Sequence, residues 1–146
     1  MNTDTIINEM KKLKDLRTKQ AYVLKTEFIK LVHVAEQVLQ LSHFEKYTLL
    51  ELDYTIVSDP MDMNDLNSER LVLKFEAGCL VLKTEVVEYD DDMCEPYWEK
   101  LEDLEISELS KRLIFNNFEK LVTAIDKVNT LEKKYVENQK KLIEGL

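Results

Sequence analysis

Glycine is almost missing from this chain: Gly78 and Gly145 are the only two in 146 residues. Phosphate-cradling loops, nucleophile elbows and dinucleotide-binding turns all use glycine where backbone must approach a ligand, so those chemistries are excluded. Cysteine is equally scarce. Cys79 and Cys94 lie far apart and form no Cys-x-x-Cys pair, which points to neither a zinc site nor a disulfide framework. No apolar run approaches the roughly 18 residues of a membrane span. The opening MNTDTIINEMKK lacks the basic stretch and continuous apolar region of a secretory signal. A cytoplasmic protein without membrane contact is expected.

What is present is chiefly apolar and charged. Hydrophobic residues make up 45% and charged residues 34%, well above the apolar content of a disordered chain and typical of a helix-rich fold. At 17.2 kDa the chain suits one domain, 1–146, with a core of its own. The net charge of −9 is unevenly placed. Residues 1–46 and 106–146 each carry eight cations and six anions, whereas 88–105, EYDDDMCEPYWEKLEDLE, holds nine carboxylates against the single cation Lys100. An acidic block thus sits between two mildly basic arms.

Both arms read as long helices. In the first, over 4–42, Ile6, Met10, Leu13, Leu24, Leu31 and Val38 recur at three-and-four spacing without proline or glycine. That length corresponds to about 58 Å, more than a domain of this size can bury along one rod, so a partner helix is needed. Asp4 is the expected cap. In the second, over 107–146, Ile114, Phe118, Leu121, Ile125, Val128, Glu132, Tyr135, Gln139, Leu142 and Leu146 hold a heptad without a slip. Ser107 is its expected cap. If the helices fold back from a common end near Ser42 and Ser107, Arg17 meets Glu132. Opposite charges at facing positions favour an antiparallel coiled-coil hairpin within the chain over a parallel homodimer.

Between the arms, Tyr47 to Val57, Arg70 to Ala77 and Cys79 to Glu88 read as strands of a small antiparallel sheet within a β region at 47–88. Ala77 with Gly78 suits a tight hairpin turn. Residues 58–69, rich in aspartate, asparagine and serine, read as a loop. Pro96 fits the first position of a helix, and Trp98, Leu101 and Leu104 follow at three-residue steps, so 96–104 is predicted to be a short helix. The expected class is therefore α+β: two long helices enclosing about three strands and a short helix.

Each candidate chemistry meets a plainer reading. Asp90, Asp91, Asp92 and Glu95 cluster, as do Asp59, Asp62 and Asp65, yet neither group has the glycine and closing glutamate of a calcium loop, so no metal or cofactor is expected. His33 and His43 are the only imidazoles, and the sequence sets no nucleophile beside either, so an enzyme is not expected. A pI near 4.8 argues against direct nucleic-acid binding, which draws its affinity from lysine and arginine. The converse fits better. Alternate strand residues lie about 6.7 Å apart, comparable with phosphate spacing along a strand. Carboxylates interleaved with aromatics can therefore enter a basic groove as a nucleic-acid mimic.

The expected partner-binding residues are Tyr89, Asp90, Asp91, Asp92, Glu95, Tyr97 and Glu99. The expected partner is a protein with a basic surface, such as a nucleic-acid-processing or defence enzyme, and small acidic inhibitors of this sort occur among phage and mobile-element products. The alternative is a homo-oligomer through the long helices or strand edges. The order helix, small β region, returning helix is similar to the plan of prefoldin subunits over nearly the full length. That resemblance implies an assembly that holds clients at its helix tips.

Overall fold

The computed structural model describes residues 2–57, 68–89, 96–104 and 110–146. Helix α1 spans Thr3–Leu41, followed by strands β1 Tyr47–Val57, β2 Ser68–Glu76, β3 Cys79–Tyr89 and β4 Pro96–Leu104, and by helix α2 Lys111–Glu144. The α+β class is as expected. Asn2 rather than Asp4 caps α1: its side-chain oxygen accepts the amides of Asp4 at 3.1 Å and Thr5 at 3.3 Å. Asp4 serves in the first turn, where a carboxylate opposes the positive end of the helix dipole. Ser110 caps α2, its hydroxyl accepting from the Leu113 amide at 3.2 Å. The expected cap Ser107 lies outside the described residues.

The strands form one antiparallel sheet in the order β1-β2-β3-β4. Ala77 and Gly78 both have positive φ, 51° and 79°, the conformation a two-residue hairpin turn needs to match strand twist. The sequence-predicted short helix at 96–104 is corrected: these residues are β4. Its partner registers explain the misleading spacing. Lys100 pairs with Glu85 and Glu102 with Thr84, so Leu101 is an extra residue at a bulge. That extra residue shifts the alternation and brings Leu104 into a cross-strand row with Leu82, Leu73 and Leu50. A three-residue apolar step is shared by a helix and a bulged strand, and pairing with β3 decides between them.

Both helices lie on one face of the sheet. Phe28, Val32, Ala35 and Leu39 of α1 and Leu113, Ile114, Leu121 and Val128 of α2 join Leu49, Leu52, Leu71, Leu73, Phe75, Leu80 and Leu82 in one core. Fully burying side chains of this size gains about 1.5–3 kcal/mol each. Two polar contacts fix α1 on the β2–β3 hairpin. Glu36 accepts the Leu80 amide at 2.9 Å, and Gln40 donates to the Gly78 carbonyl at 2.9 Å. The first of these matters because, among the described residues, β4 pairs with β3 only from Leu82 onward, and a carboxylate here accepts from a backbone donor of β3.

The antiparallel hairpin of helices is also corrected. The Phe28 ring lies 6.4 Å from that of Phe118, and His43, just past the end of α1, bonds Glu132. From the first contact to the second the chain advances about four turns on both helices, so α1 and α2 run side by side in the same direction. Glu132 therefore meets His43 and not Arg17. The physical reason is that helical periodicity specifies a face but carries no direction. The pair is also staggered. Every residue from Asn2 to Gln20 is exposed at one end, and every residue from Lys133 to Leu146 at the other.

Candidate functional site

Of the seven expected site residues, Tyr89, Tyr97 and Glu99 lie on the paired strands β3 and β4. Tyr89 closes β3, where it pairs with Pro96; Tyr97 pairs with Glu88, and Glu99 with Val86. Asp90, Asp91, Asp92 and Glu95 lie outside the described residues. Among the described residues the sheet order makes β4 an edge strand, bonded to β3. Along it run Glu99, Glu102 and Asp103 with the single cation Lys100. Charges on an edge strand discourage edge-to-edge aggregation.

Elsewhere on the sheet, acid and base are paired. Arg70 meets Glu51 at 2.8 Å, and Lys83, only 4% exposed, gives its ammonium to Glu76 at 2.7 Å. Strand alternation puts Lys83 on the face opposite Leu82, where the position is nonetheless covered and its charge is held by a partner. A buried lysine of this kind requires such a partner, since an isolated ammonium in low dielectric is costly.

Among the described residues, a polar cluster forms around His43 that the sequence did not single out. The His43 ring stacks on Tyr135 with centroids 3.8 Å apart and planes within 4°, and the Phe44 ring lies 4.1 Å from it, tilted by 34°. Glu132 accepts from the His43 backbone amide at 3.1 Å and bonds Nδ1 at 2.5 Å. These bonds hold the Glu132 carboxyl below the usual carboxylate range. Phe44 in turn packs on Tyr47 at 4.6 Å, and burial pushes the Tyr47 phenol above its ordinary value. One signal was available: Glu132 and Tyr135 both occupy the heptad stripe, where polar residues need partners.

This cluster clamps the end of α1 to α2. Ser42, the neighbouring hydroxyl, donates to the Leu39 carbonyl at 2.7 Å and accepts the Phe44 amide at 3.2 Å, so it serves the end of α1. Cys79 is a free, exposed thiol. Among the described residues no group of three or more His, Cys, Asp or Glu is arranged to hold a metal ion. No described helix is long and apolar enough to cross a membrane. No family model, curated protein or solved structure matches the chain.

Proposed function

We propose that this is a non-enzymatic binding protein whose acidic β3–β4 edge engages a protein partner with a basic surface. A nucleic-acid-processing or defence enzyme fits that description, with the hairpin entering as a nucleic-acid mimic in the manner of phage and mobile-element inhibitors. What carries the reading is the placement of Tyr89, Tyr97 and Glu99 on the hairpin that ends in an edge strand. The helices and sheet then act as its rigid mount. Carboxylates supply long-range attraction and the aromatics supply contact area at the centre.

The test is capture from a native host lysate, followed by affinity measurement for the captured protein with and without the triple substitution of Asp90, Asp91 and Asp92 by Asn. Affinity is expected to fall at least about tenfold and to lose much of its salt dependence. Unchanged affinity and unchanged salt dependence would overturn the reading. The assembly alternative draws support from the exposed apolar residues at both ends of the helix pair. A prefoldin-like architecture, however, needs a returning helix, and α2 runs alongside α1 in the same direction.

A further inference from the structure

Where α2 begins beside α1, the two helices enclose a groove of about 580 Å³ whose lining includes Lys14, Arg17 and Leu24 of α1 and Lys111, Arg112 and Phe115 of α2. No acidic residue is among those that line it. Lys30, Arg70, Lys74 and Lys83 each have a carboxylate partner, whereas among the described residues none of the four cations of the groove has one. A basic concavity thus stands in a chain of net charge −9. Like charges lining one cavity repel, and Lys14 and Arg17, three residues apart on one helix face, already do so within α1. An anion seated between them removes that cost. Phe115 is 70% exposed in the same lining, and Leu24 is partly buried beside the core. The groove therefore offers apolar surface next to concentrated positive charge.

We propose that this groove binds a compact oligophosphate ester that carries an aromatic base, a ligand with the size and charge of a nucleoside triphosphate. Volume and charge spacing select that class. Cavities of about 300–1,000 Å³ hold a single small ligand, and a long nucleic-acid strand is disfavoured by the acidity of the chain as a whole. An acidic peptide strand spreads the carboxylates of one face about 6.7 Å apart, whereas an oligophosphate concentrates its charge on adjacent groups, as four cations around one cavity require. The guanidinium forks of Arg17 and Arg112 match pairs of phosphate oxygens, and Lys14 and Lys111 add point charge. Phe115 gives the base a ring to stack on. No residue of the β3–β4 hairpin lines the groove, so binding here stands or falls apart from the protein-partner reading.

Calorimetric titration of the full chain with adenosine triphosphate, free of divalent metal and at about 50 mM salt, checks it. A dissociation constant of about 10–100 µM is expected, with inorganic triphosphate about tenfold weaker and adenosine alone at least about a hundredfold weaker. Arg17→Glu together with Arg112→Glu is expected to weaken binding at least about a hundredfold. Lys133→Glu together with Lys134→Glu makes the same change of net charge near the other end of α2 and is expected to weaken it no more than about threefold. Phe115→Ser is expected to weaken adenosine triphosphate about tenfold and to leave inorganic triphosphate unchanged. Circular dichroism of each variant separates loss of the site from loss of the fold. Absence of binding up to about 1 mM, equal affinity for adenosine triphosphate and inorganic triphosphate, or equal losses from the two charge-reversed pairs in folded variants would overturn the proposal.

Discussion

The His43 imidazole lies flat on the Tyr135 ring, 3.8 Å between centroids, while Glu132, one turn earlier on α2, accepts its Nδ1 and backbone amide. The contact ties the end of α1 to α2 at the last point where the two helices are neighbours. Beyond it α2 continues alone from Lys133.

Glu132 makes this tie dependent on pH. Its folded-state pKa is held below the ordinary value by the hydrogen bonds from His43, so the unfolded chain binds its proton more readily. The contribution to stability is present above the ordinary carboxylate pKa and is lost as pH falls through the lower, folded value. Urea midpoints followed between about pH 3 and 7 are expected to drop less steeply at the acid end for Glu132→Gln than for the unaltered chain. Parallel curves would sink the assignment.

Leu121 and Leu142 occupy the same heptad stripe but differ in surroundings: 0% and 73% exposed. Truncating Leu121 to Ala removes atoms from the packed core and is expected to cost about 2–5 kcal/mol. The same change at Leu142 is expected to stay within about 0.5 kcal/mol. Denaturant titration of the two single variants checks the contrast, and equal losses would contradict the stagger of the helices.

Ala77 holds φ of 51° in the β2–β3 turn, a region that disfavours any residue with a Cβ by about 1–2 kcal/mol, though asparagine tolerates it better. Ala77→Asn is expected to raise stability by about 0.5–1 kcal/mol without altering the core. The same denaturant titration reads it out. A loss of stability would show that the turn has another geometry in solution.

Much of the fold was legible in the residues. Unbroken three-and-four spacing gave both helices, and alternation about Ala77 and Gly78 gave the β2–β3 hairpin, because those periods follow directly from helix and strand geometry. The helix expected at 96–104 failed because Trp98, Leu101 and Leu104 fit a helix and a bulged strand equally well. His43 went unrecognised because its partners, Glu132 and Tyr135, are distant in sequence and adjacent only through folding.

By itself the sequence determined which faces of the two helices are apolar, where the hairpin turns, and that the acidic block lies between basic arms. These are local properties, set by side-chain order and backbone geometry. Only the tertiary structure decided that α2 runs with α1 rather than against it, that Lys83 is covered and paired, and that Tyr97 and Glu99 stand on an edge strand. Direction, register and edge position depend on which strand finds which neighbour. A periodic pattern reads alike from either end, so that choice is made by packing of the whole sheet against both helices.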